Sequence, residues 1–159
     1  MRWFRLLSAL VAVTALTASA ARADAGPPWG PATPNFNDEV ILRPVAGGPS
    51  GFGLVKFRQP KDADKIVYLD LWVRDLAPSH DYYLQRAVDT NVDDICTGTN
   101  WATLGEASTD TSGTGRADLQ RDLAAVPLGA QFDIHFRVVD KVTLAVVLES
   151  GCYQFVVSQ

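Results

Sequence analysis

Lys65-Ile66-Val67-Tyr68-Leu69-Asp70-Leu71-Trp72-Val73-Arg74 is the stretch on which the fold turns. Val67, Leu69, Leu71 and Val73 take alternate positions, and Ile66, Tyr68, Asp70, Trp72 and Arg74 take the others. Successive side chains of a β-strand point to opposite faces, so this alternation makes one apolar face and one mixed face. The β-branched and aromatic content suits the same state. A helix would need its apolar residues three and four apart, and this stretch does not place them so.

Outward from that strand the pattern repeats. Glu39–Val45 and Gly51–Arg58 precede it as extended runs, separated by Gly47-Gly48-Pro49-Ser50-Gly51. Gln59 to Asp64 makes a polar turn into the central stretch. After Leu76-Ala77-Pro78-Ser79 comes Tyr82–Asp89, with Tyr82, Leu84 and Val88 on one side. Thr90–Asn100 is polar and acidic and reads as a long loop. Trp101–Glu106 and Arg116–Arg121 are short strands around the turn Thr109 to Gly115. Gln131–Val139 alternates cleanly, with Phe132, Ile134, Phe136 and Val138 facing inward and Asp133, His135 and Arg137 facing out. Asp140-Lys141 reads as a tight connection to Val142–Leu148, and Cys152–Val157 closes the set. The one helical candidate is Ala117–Val126, framed by Gly115 and Pro127. Many short strands, Gly/Pro turns and no crossover helices predict an all-β fold: an antiparallel β-sandwich, immunoglobulin-like in the broad sense, with a small β-barrel as the alternative.

The N-terminal part reads differently. Arg2 and Arg5 precede an uncharged stretch, Leu6 to Ala21, and Ala21-Arg22-Ala23 has a small-x-small form. That order is a signal peptide over residues 1–23, and it predicts a secreted or extracytoplasmic product with no transmembrane anchor in the mature chain. Residues 24–37 hold four prolines and two glycines and form an extended lead-in carrying Trp29. Residues 38–159 are then one domain, long enough for a real core. Beyond residue 23 there remain 11 basic against 18 acidic side chains, a formal −7, which excludes a phosphate-tracking partner such as nucleic acid.

Export bears on the two cysteines. Cys96 and Cys152 are expected to pair in an oxidising compartment. The bond would close a loop of about 57 residues and contribute about 4 kcal/mol on the chain-entropy model. Neither cysteine belongs to a Cys-x-x-Cys, which leaves a redox role without support.

Three kinds of site are worth locating. Asp89, Asn91 and Asp93 alternate in Asp89-Thr90-Asn91-Val92-Asp93-Asp94, which resembles the opening of the helix-loop-helix calcium motif. The sixth position holds Asp94 where that motif has glycine, and the twelfth holds Asn100 where it has glutamate. Asp89, Asn91, Asp93 and Asp94 are therefore the candidate calcium ligands, set against a plain solvated acidic turn; no other cofactor is implied. Tyr68 and Trp72 share the mixed face of the central strand, and with Trp101 they are candidates for a surface that binds protein or carbohydrate. His80, Asp81, Asp93 and His135 could serve a small hydrolase if they converged. No Gly-x-Ser-x-Gly surrounds any serine, and Gly51-x-Gly53 and Gly113-x-Gly115 lack the following helix of a phosphate loop. The expected function is a secreted, non-catalytic binding domain for an extracellular or envelope protein or a carbohydrate. A small secreted hydrolase and a structural envelope accessory protein are the alternatives.

Overall fold

The structure, a computed structural model, describes residues 36–60 and 65–157. The predicted leader, Trp29 and nearly all of the lead-in lie outside these residues; Phe36 and Asn37 open the first strand. Nine strands follow in order: β1 (Phe36–Pro44), β2 (Phe52–Gln59), β3 (Ile66–Arg74), β4 (Asp81–Asp89), β5 (Ala102–Ser108), β6 (Gly115–Asp122), β7 (Gln131–Asp140), β8 (Val146–Ser150) and β9 (Tyr153–Val156). They form one sheet in the order β5-β4-β7-β8-β1-β2-β3-β6, with β9 also on β7. Every pairing is antiparallel. Among the described residues no helix is long and apolar enough to cross a membrane.

The sheet curls into a nearly closed barrel of eight strand positions. β8 and β9 share one position. Leu148 faces Val138 and Tyr153 faces Ile134, so both run along the same edge of β7 with a break at Gly151-Cys152. Ser150 Oγ fills the break by accepting the Phe136 amide at 2.9 Å. The barrel closes where β5 meets β6. There the ladder is reduced to a bridge between Thr109 and Gly115, and Leu119 of β6 lies over Gly105 of β5. A Cβ on Gly105 would sit 2.3 Å from Leu119 Cδ2, so glycine is what lets the two edges meet. The all-β antiparallel class expected from the sequence holds. The single curled sheet follows the barrel alternative, and nothing in the strand order is specific to an immunoglobulin-like arrangement.

Alternation sets the core. Val67, Leu69, Leu71 and Val73 of β3 are buried, as are Val55 and Phe57 of β2, Leu84 of β4, and Ile134, Phe136 and Val138 of β7. Two local readings are corrected. Ala117–Val126 is not helical: β6 runs to Asp122 and pairs with β3 from Val73↔Gly115 to Ile66↔Asp122, so sheet pairing overrides a weak helical spacing. The connection after β7 is longer than Asp140-Lys141, and β8 begins only at Val146. Asp140 Oδ1 accepts the amides of Val142 and Thr143 at 2.8 Å each, which draws those residues into the turn.

Candidate functional site

The two ends of the barrel differ. At one end the β3–β4 connection folds inward and Leu76, 6% exposed, plugs the interior beside Tyr82, Ala107 and Leu148. At the other end there is a cavity of about 250 Å³. Its floor is Phe57, Leu69, Phe136 and Phe155, and its rim includes Val88, Leu104 and Val126. Leu104 reaches it because of a β-bulge. Leu84 pairs with Gly105 and Gln85 with Thr103, which leaves Leu104 unpaired between them.

Two charged side chains share this apolar wall. Arg86 occupies the inward phase of β4, between Leu84 and Val88, and Arg121 occupies the inward phase of β6, after Ala117 and Leu119. β4 and β6 are the strands on either side of β5, so barrel closure brings the two guanidinium groups to one mouth. Burial holds the Arg86 pKa below its ordinary value, and the positive charge of Arg121 adds to that effect. Neither arginine has a hydrogen bond or ion pair among the described residues, whereas outward-facing Arg58 pairs with Asp70 and Arg137 with Gln85. An alternation count on Tyr82, Leu84 and Val88 includes position 86, so this signal was present in the sequence. A charged residue at that phase reads as a strand edge until the closed interior is seen.

The residues singled out from the sequence lie elsewhere. Tyr68 and Trp72 are half-buried on the outer face of β3. Arg58 lies 5.9 Å from the Tyr68 ring, and Trp72 meets Phe52 edge-on at 6.1 Å with Arg74 at 5.8 Å. Trp101 is on a different wall. It packs on His135 at 4.4 Å, under the Arg137 guanidinium at 3.9 Å, so it does not extend the Tyr68–Trp72 surface.

Cys96 and Cys152 are bonded, with Cα atoms 5.3 Å apart. The bond ties the acidic loop to the break between β8 and β9. The loop is organised around Asp133, a fully buried carboxylate on the outer phase of β7. Asp133 Oδ2 accepts the amides of Asp93 at 3.0 Å and Asp94 at 2.8 Å. Its Oδ1 has no partner among the described residues. Asp89 accepts from the amides of Asn91 and Thr97 and from the Thr97 hydroxyl, and Asp93 accepts from the Ile95 amide and the Asn91 side chain. These bonds hold the Asp89 pKa below the ordinary carboxylate value, the Thr97 hydroxyl contributing most. The oxygens of Asp89 and Asp93 thus serve the loop's own donors, and the Asp94 side chain is exposed. Among the described residues no group of three or more His, Cys, Asp or Glu is placed to hold a metal.

The histidines do not converge. His80 Nε2 meets Asp140 Oδ2 at 2.7 Å at the plugged end, and Asp81 takes a bond from Ser108. His135 lies opposite Ala87, toward the other end of the β4–β7 ladder, with Nε2 3.1 Å from the Gly98 carbonyl. The chain matches no protein-family model, and a comparison with curated proteins finds no match.

Proposed function

We propose that this chain is a non-catalytic binding protein that takes up a small, largely apolar molecule in the open end of its barrel. The observation that carries the reading is the 250 Å³ cavity and its lining. Ligand sites are concave, mostly apolar and supplied with a few placed polar groups, and this end of the barrel has all three properties. The plugged end shows that a single leucine can fill such a mouth, and among the described residues none does so here.

This keeps the binding role expected from the sequence and moves the site from the outer aromatic face to the interior. Tyr68, Trp72 and Trp101 are engaged by neighbours on two separate walls, which supports packing roles for them. The hydrolase reading has less support, since His80, Asp81, Asp93 and His135 are spread along the barrel. Export by the leader remains part of the proposal: a pre-formed apolar cavity and a disulfide both suit a carrier outside the cytoplasm.

Calorimetric titration with 1-octanol tests the cavity. Saturable binding is expected, and Val88→Trp, which would fill the rim with its own side chain, should remove it while the protein still melts cooperatively. If 1-octanol gives no saturable heat, or binds the Val88→Trp variant equally well, the cavity is not a ligand site and the accessory-protein reading takes its place.

A further inference from the structure

We propose that the ligand is an amphipathic anion, a short acyl or aryl body ending in a carboxylate or a comparable acidic group, with Arg86 and Arg121 holding the head and the cavity holding the body. The inference rests on the cavity reading above and adds the chemistry of its mouth.

Three observations lead to it. First, both arginines sit at inward positions of a barrel whose buried inward residues, Gln59 apart, are apolar. Arg86 is partly withdrawn from water without a partner, which destabilises the fold, and the like charge of Arg121, exposed at the rim, compounds that cost. Departures of this kind from an otherwise consistent pattern collect at functional sites. Second, partly desolvated Arg86 and exposed Arg121 line the same cavity and Arg86 feels the charge of Arg121, so the two form one electropositive mouth. A guanidinium offers paired N–H donors that match the two oxygens of a carboxylate, and such bonds strengthen when water is excluded. Third, the mouth opens onto about 250 Å³ of apolar space. That volume lies between an engineered cavity of about 150 Å³ that accepts benzene and the range of about 300–1,000 Å³ typical of drug-sized ligands. It suits a body of about eight to twelve heavy atoms, which limits how long an acyl chain can be enclosed. The net charge beyond the leader, −7, disfavours anions in general. Selection for an anion must then come from this local pair, and inorganic ions gain nothing from the cavity.

The test compares octanoate, 1-octanol and inorganic phosphate on the purified protein at neutral pH, with the double variant Arg86→Gln/Arg121→Gln alongside. Octanoate and 1-octanol share a chain and differ in head charge. Octanoate is expected to bind at least about tenfold more tightly than 1-octanol, since hydrogen bonds to charged groups are the stronger kind. The double variant should lose that advantage and bind both ligands as weakly as the wild type binds 1-octanol. Phosphate should bind far more weakly than octanoate. Equal affinity of the wild type for octanoate and 1-octanol overturns the anion inference and leaves the cavity reading standing. Tight phosphate binding overturns it in favour of a free-anion site. Failure of 1-octanol to bind removes the cavity reading and, with it, this inference. The octanoate–octanol comparison on the wild type decides the matter even if the double variant does not fold.

Discussion

The two ends of this barrel are built from the same nine strands by opposite rules. At the plugged end the turns are satisfied by their own and neighbouring side chains. Asp110 Oδ1 accepts the amides of Ser112 and Thr114, Asp140 Oδ1 accepts those of Val142 and Thr143, and Thr109 Oγ accepts the His80 amide while donating to the Ala77 carbonyl. Gly113 allows the closest approach. Its φ is +78°, and a Cβ there would lie 2.2 Å from the Leu76 carbonyl. At the open end, among the described residues, two inward arginines have no partner and a cavity of about 250 Å³ is left. Good packing and satisfied hydrogen bonds define a scaffold, and their local suspension marks where that scaffold is available to something else.

The contrast can be broken by measuring each end separately. The largest expected effect is at the plug. Leu76→Ala should cost about 3 kcal/mol, because a buried leucine is removed from a site that cannot collapse, and Val126→Ala at the open rim should cost about 1 kcal/mol or less. Urea unfolding of both variants decides it, and equal losses would mean the open end is as tightly packed as the other. Next, Thr109→Val should cost about 2 kcal/mol by leaving the His80 amide and the Ala77 carbonyl unpaired beneath Leu76. Thermal melts read this, and a neutral outcome would show that the plug needs no polar support.

A change of opposite sign sharpens the comparison further. Arg86→Leu should raise stability by about 1 kcal/mol, since replacing an unpaired, partly desolvated charge with an apolar side chain removes a standing cost. A drop in the urea midpoint would show that Arg86 is structural. The smallest effect concerns acid. The Asp140 pKa is held below the ordinary carboxylate value chiefly by the Thr143 amide, with the Val142 amide, the Thr143 hydroxyl and His80 adding to it. A depressed carboxylate adds stability above its unfolded value of about 3.9, and that stability is lost as pH falls through the folded value. Melting temperatures of wild type and Asp140→Asn should therefore differ at neutral pH and converge in strong acid. A constant difference across that range would remove Asp140 from the account of the plug.

The sequence made much of this readable. The alternation in Lys65–Arg74 and in Gln131–Val139 fixes which side chains face inward, because a strand has a period of two whatever surrounds it. With only Cys96 and Cys152 present, one intramolecular bond can form. The acidic loop was legible as a loop, but its organiser, Asp133, was not. A carboxylate at an outer position looks solvated until a loop from more than thirty residues away is laid over it, as the separations of 39 and 40 residues show.

The candidate site divides along the same line. Its parts were in view, since Arg86 falls in phase with Leu84 and Val88, and Arg121 in phase with Leu119. Their meaning depended on closure of the sheet. In an open sheet these arginines would reach water past its edge, as their charge suggests. Sequence by itself determined the strands, their inward faces and the disulfide, because these follow from local period and from counting. Only the tertiary structure decided that β5 and β6 meet, that one end is plugged by Leu76 and that two arginines share the other. Those outcomes depend on strand order and on contacts between residues far apart in the chain, which local periodicity does not encode.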